Sequence, residues 1–298
     1  MNEAGGGGLV KYKWTLLSTA FVLVLAAIFL LQGTKGAEAT GDLSDPFLDP
    51  YALSLAHRHA GAGAETAAEK SVSIRLEWPE GEPQAGVPSK LSLSIAGAGG
   101  KPIDAFDITN EKLLHLIVVS EDLQHFQHVH PEYKGKGRFE LPVTFPASGK
   151  FKLYADFVPT GLNELTRTGL VTVSGTAAGS AVLQPSEMLE ASVDGMKVKL
   201  EFSDELAPQT QMSMTYTFTD EKTGDPITDL ELYLGAVGHV VAIDQTTEQF
   251  IHIHPLNWAS SGPQAVFGAA FPVSGMYKVW GQFQRNGKTF VVPFVIKV

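Results

Sequence analysis

Two stretches, HLIVVSEDLQHFQHVHP from His115 to Pro131 and HVVAIDQTTEQFIHIHP from His239 to Pro255, match at a constant offset of 124 residues without a gap. The identities are His115/His239, Phe126/Phe250, His128/His252, His130/His254 and Pro131/Pro255. The chain has nine histidines, so six of them serve one pattern used twice. In the second copy His239 to Ile243 reads as a strand, Asp244 to Gln249 as a turn and Phe250 to His254 as the return strand. A turn centred between Thr246 and Thr247 sets His239 opposite His254 and Val241 opposite His252. Residues i and i+2 of a strand share a face, roughly 6.6–7 Å apart, and directly opposed Cβ atoms lie about 4.5–5.5 Å apart. All three histidines therefore project from one face of the hairpin. His115, His128 and His130 repeat the arrangement, because both turns have the same length.

Three converging neutral imidazoles suit zinc or copper(II), which bind such nitrogens at about 2.0–2.1 Å. A one-residue slip in either strand would send a ligand to the wrong face. The candidate metal ligands are thus His115, His128 and His130 in one copy and His239, His252 and His254 in the other. The same face carries Ile117, Val119 and Phe126, or Val241, Ile243 and Phe250. The histidines are then expected to be largely buried, and either a metal or a hydrogen-bond network must satisfy their nitrogens.

Outward from the hairpins the likeness spreads to whole domains. RLEW (75–78) matches KLEF (199–202), and KPIDAF (101–106) matches DPITDL (225–230), both at the same offset. After a two-residue shift, FPASGKFKLYADF (145–157) matches FPVSGMYKVWGQF (271–283). Short alternating runs rich in β-branched and aromatic residues, separated by Gly, Pro and Asp, fill both copies. Neither copy holds a convincing amphipathic helix. These features predict an all-β chain, a tandem duplication of an immunoglobulin-like β-sandwich of roughly 105 residues. The expected domains span 71–176 and 192–298, joined by a linker over 177–191.

Upstream, Lys11 and Lys13 precede the apolar run WTLLSTAFVLVLAAIFLL, residues 14–31. As a helix it rises about 27 Å, close to the hydrocarbon thickness of a bilayer. The expectation is a transmembrane helix or signal-peptide core after a cytoplasmic segment, residues 1–13, with the flanking lysines keeping that end inside. Ala37-Glu38-Ala39 offers a cleavage site, which would release a secreted form. Residues 32–70, rich in Gly, Ala, Asp and Pro, read as a flexible linker in which His57 and His59 are solvated.

The 298 residues include no cysteine, which excludes disulfides, thiolate metal sites and thiol catalysis. A formal net charge of −10 argues against a nucleic-acid partner. Among other candidates, Met212 and Met214 occupy the places of Leu91 and Leu93 and read as core. His125 falls on the opposite face near its turn. Glu132 follows the first H-x-H-P, but Leu256 stands there in the second copy, so no carboxylate or general base recurs at both sets of histidines. No catalytic residue is therefore expected, and a zinc hydrolase ranks last among the readings.

The string PITDLELYLGAVGHVVAID, completed by FIHIHP, resembles the YtkA-like exported β-domains of bacteria, with a diverged twin in the first copy. Their architecture is similar to the CopC and cupredoxin-like group. The resemblance covers residues 101–157 and 225–283 and implies copper or heavy-metal handling. The histidine amine of CopC-type sites and the cupredoxin cysteine are both missing, which leaves histidine alone to hold copper. The leading expectation is a membrane-anchored extracytoplasmic protein that binds copper or zinc for buffering, resistance or delivery. The rival is a non-catalytic interaction module with structural or pH-responsive histidines. Metal ion and membrane are the expected partners, and the sequence names no protein partner.

Overall fold

The computed structural model describes residues 64–176, 179 and 181–298. The apolar run 14–31, the 37–39 cleavage site, His57 and His59 lie outside the described residues. Among the described residues no helix is long and apolar enough to cross a membrane.

The first domain opens with α1 (Ala67–Lys70) and continues through β1 (Ser73–Glu77), β2 (Pro88–Ala96), β3 (Phe106–Asp107), β4 (His115–Ser120) and β5 (Phe126–Val129). It closes with β6 (Glu132–Gly135), β7 (Arg138–Thr144), β8 (Gly149–Pro159) and β9 (Leu165–Val173). The second contains β10 (Glu190–Val193), β11 (Met196–Phe202), β12 (Met212–Asp220) and β13 (His239–Asp244). It ends with β14 (Phe250–Pro255), β15 (Gln264–Ala269), β16 (Met276–Arg285) and β17 (Lys288–Lys297). The result is nearly all β, in two tandem sandwiches. α1 falls within a segment expected as a linker, and β10 begins in one, at Glu190 and Ala191, and runs on into the expected second domain. A capping box at Thr66 and Glu69 forms the first, and pairing with β11 recruits the second.

In the first domain β1-β2-β7-β6 form one sheet, and β3-β8-β4-β5 with β9 form the other. In the second, β14 pairs with β13 and then, at His254 and Pro255, with β15. The H-x-H-P strand thus crosses from one sheet to the other at its second histidine. The first domain makes the same crossing between β5 and β6, where His130 and Pro131 intervene.

Strand alternation sorts the side chains. Leu116, Val118, Leu153, Ala155 and Phe157 point into the core of the first sandwich, and Val240, Ala242, Val279 and Phe283 into that of the second. Met212 and Met214 are core residues, as read from sequence. The other faces of these strands meet each other: Ile117, Val119, Leu123, Tyr154, Val241, Ile243 and Trp280 form one buried cluster shared by the two domains. Phe126 stacks on Trp280 at 4.8 Å, and Tyr154 stacks on Phe250 at 4.8 Å. Lys152 donates to the Thr247 carbonyl, and Lys278 donates to the Leu123 carbonyl. Each contact has its counterpart with the copies exchanged, so the duplicated domains pack as a local pseudo-dimer. Burying large aromatic side chains contributes about 1.5–3 kcal/mol each. The apolar residues beside the histidines are therefore the interface between the domains.

Candidate metal centre

The hairpin registers are those expected from sequence: Ile117 lies opposite His128, and Val241 opposite His252. Because the hairpin faces are pressed together, the two histidine sets become neighbours. The His115 ring stacks on His239 at 5.4 Å, His128 lies 5.4 Å from His239, and His239 lies 5.2 Å from His252. The two sets form one histidine cluster built across the interface.

The first set converges. His115 Nδ1, His128 Nε2 and His130 Nε2 form a triangle with sides of 3.0, 3.2 and 3.2 Å. Tetrahedral ligands at about 2.05 Å from a metal are themselves about 3.3 Å apart, so this triangle is close to a ready-made ligand face. Outer hydrogen bonds orient the rings. His115 Nε2 donates to the Thr109 carbonyl at 2.9 Å, which leaves a lone pair on Nδ1 of the neutral ring. His128 Nδ1 donates to Gln282 Oε1 at 2.6 Å, as that carboxamide is oriented, which leaves a lone pair on Nε2. Two nitrogen lone pairs then face each other at 3.0 Å with no proton to share. A cation placed among the three nitrogens satisfies them together while the rings stay neutral, whereas without one a single His130 Nε2–H has to be shared between both lone pairs at 3.2 Å. The Thr109 carbonyl is held by a tight turn in which Asn110 and Glu111 both have positive φ, 46° and 64°.

Burial pushes the pKa of His115 down to about 4, against the raising effect of the Thr109 bond. Burial likewise brings His130 down to about 3 and, with the neighbouring His115 and His130, holds His128 well below the usual imidazole range. These rings are neutral at physiological pH, the state a metal requires.

The second set differs. His239 and His254 are 5% and 7% exposed, and His239 Nε2 is buried without a hydrogen-bond partner among the described residues. His252 turns its Nδ1 to Asp156 Oδ2 at 2.8 Å and lies 3.8 Å from Glu164 Oε1, both on the first domain. Burial alone would lower the His252 pKa, but the Asp156 bond and the two negative charges raise it. Burial, reinforced by Asp156, pushes Glu164 up to about 7. Among the described residues two groups have ligand atoms within 4.8 Å of one another: His115 with His128 and His130, and Asp156 with Glu164 and His252. Sequence reasoning found the first group and missed both carboxylates. The missed signal was the matched alternation K-x-Y-x-D (152–156) and K-x-W-x-Q (278–282), bulky and polar residues on a face their own core does not use. Glu164 had no such signal. It is positioned by the preceding residue: Asn163 donates its backbone N–H and side-chain amide to Glu69 at 3.1 and 2.7 Å. His125 is partly buried and stacks near Phe151, away from the cluster, and Glu132 is exposed.

Fold and site together define a class: a tandem pair of β-sandwiches whose shared face is lined by histidine. The chain belongs to the family described as a domain of unknown function (DUF8832), matched twice, over residues 66–175 and 191–298. The duplication is thereby shown, and the likeness to YtkA-like domains remains a resemblance. Among curated proteins none matches. Solved structures similar to it include a tetra-tandem repeat from the extending region of a large adhesion protein, at 10% identity and TM-score 0.25, covering 76% of this chain and 48% of that one. The Escherichia coli adhesin FdeC matches at 16% identity and TM-score 0.25, over 79% of this chain and 66% of its own. A two-domain fibronectin type III segment of chicken tenascin matches at 14% identity and TM-score 0.21, over 75% and 98%. The chain spans less than two thirds of the first two structures.

Proposed function

We propose that this protein is an extracytoplasmic metal-binding protein, held to the membrane by residues 14–31, whose two immunoglobulin-like sandwiches bind copper or zinc at their common face. His115, His128 and His130 are the principal ligands, and the role is buffering, resistance or delivery of the ion. The observation that carries this reading is the triangle of nitrogens in which the His115 and His128 lone pairs are turned together by the hydrogen bonds these rings donate to the Thr109 carbonyl and Gln282 Oε1. In a proton network, the rival explanation, one His130 Nε2–H would have to serve both acceptors at 3.2 Å each. A ligand histidine that donates its other nitrogen to a carbonyl or carboxamide has its tautomer and orientation set for metal. Three nitrogen ligands leave a coordination position open, which suits an ion that must be handed on.

The test is metal retention by the full chain in detergent. After loading with copper(II) or zinc and desalting, X-ray absorption on the bound ion is expected to show three imidazole ligands. His128→Ala with His130→Ala should abolish that signature. An unchanged spectrum in the double variant, or no retained ion, refutes the assignment.

A further inference from the structure

We propose that Asp156 and Glu164 of the first domain, with His252 of the second, form a second divalent-cation site of mixed carboxylate–imidazole type that exists only where the two domains meet. The three ligand atoms lie within 4.8 Å of one another, with His252 Nδ1 2.8 Å from Asp156 and 3.8 Å from Glu164. Asp156 is 3% exposed, and the Glu164 side chain 16%. Two carboxylates side by side and largely out of water repel each other, and one imidazole can offset at most one of them. A divalent cation seated among the three ligand atoms would bind both carboxylates at once, where a proton on Glu164 neutralises only one.

The duplication makes the point sharper. The position equivalent to Asp156 is Gln282, which orients His128 with a neutral carboxamide. If Asp156 served only to orient His252, a glutamine would do the same work and Glu164 would have no part. A separate observation also calls for a ligand here. The His239 ring lies 5.2 Å from His252, and its buried Nε2 has no hydrogen-bond partner among the described residues, so a further nitrogen donor lies close by. The three residues line a cleft of about 640 Å³ between the domains, shared with Glu65, Gln209 and Phe250, which gives an ion a route in. Oxygen-rich donors favour manganese, zinc or cobalt over copper(I), so the two sites differ in metal preference.

This site uses none of the first triad, so the two readings fail separately. The experiment is equilibrium dialysis of the full chain in detergent against cobalt(II). Wild type is expected to hold two ions, Glu164→Gln one, His128→Ala/His130→Ala one, and the combined variant none. Two ions held by Glu164→Gln would overturn the proposal and leave Asp156 as an orienting residue. One ion in wild type, lost with His128 and His130, would overturn it while the triad stands. Because glutamine is isosteric with glutamate, folding is not at stake in the decisive variant. Manganese(II) electron paramagnetic resonance on wild type gives a second reading: one tightly held ion is expected, and none would overturn the site.

Discussion

The His128 imidazole donates from Nδ1 to Gln282 Oε1 across 2.6 Å, so a residue of the second domain sets the tautomer of a histidine in the first. On the proposed reading, metal affinity of the first triad depends on a side chain that itself coordinates nothing. Removing such an outer partner typically costs roughly 10–100-fold in affinity. Gln282→Ala is expected to weaken copper(II) or zinc by that range in a competition titration while His115, His128 and His130 stay intact. Unaltered affinity would show that the cross-domain bond has no orienting role.

The aromatic pairs hold the faces together. Trp280 is 3% exposed and stacks on Phe126 with planes 14° apart. Trp280→Ala should destabilise the protein by about 3–5 kcal/mol, read from denaturant unfolding. A Phe126/Trp280 double-mutant cycle should return a coupling of about 0.5–1.5 kcal/mol. Metal affinity should fall with Trp280→Ala too, since the domains that build the site are loosened.

Gly281, on β16 next to Gln282, has no space for a methyl group. A Cβ there would meet Phe283 Cε2 at 2.7 Å and Tyr216 Cζ at 2.9 Å. Both rings are fully buried and cannot retreat. Gly281→Ala is expected to cost about 1–3 kcal/mol as overpacking. Its counterpart Ala155 already carries a methyl in the first domain, fully buried. A melting temperature equal to wild type for Gly281→Ala would contradict this packing.

Acid should weaken the metal-free protein. His115, His128, His130 and His239 all have folded pKa values lowered chiefly by burial, to about 4 for His115 and about 3 for His130. A lowered group contributes stability that is present above its unfolded value, 6.5 for histidine, and lost as pH falls toward the folded one. Glu164, raised from 4.5 to about 7, has the opposite sign: its contribution is present below 4.5 and lost as pH rises through about 7. His252, also raised, sides with Glu164. Four groups outweigh two, so the melting temperature should drop between pH 7 and 5. Glu164→Gln removes one opposing contribution and should steepen the drop. A melting temperature that rises on acidification would reverse the assignment of neutral histidines.

Much of the site was legible because it is local. His239 to Phe250 is a hairpin whose register follows from turn length, and the period of two then places His252 and His254 on the face of His239. The duplication supplied a check, since a thirteen-residue spacing between the first and second histidines recurs in both copies. Asp156 and Glu164 were not legible in this way. Asp156 sits opposite His115 on β8, but its partner His252 lies 96 residues further along the chain. Nothing periodic in the sequence links them.

What the amino-acid sequence determined alone was the β class, the tandem repeat, the two hairpins and the shared face of each histidine set. These follow from side-chain alternation and turn length, which act within a few residues. Only the tertiary structure decided that the two faces close on each other. Tyr154 stacks on Phe250 and Trp280 on Phe126 because each copy's apolar face is most fully removed from water by the other's. That docking gives His128 its glutamine and His252 its carboxylates, and turns two similar hairpins into two chemically different halves of one centre.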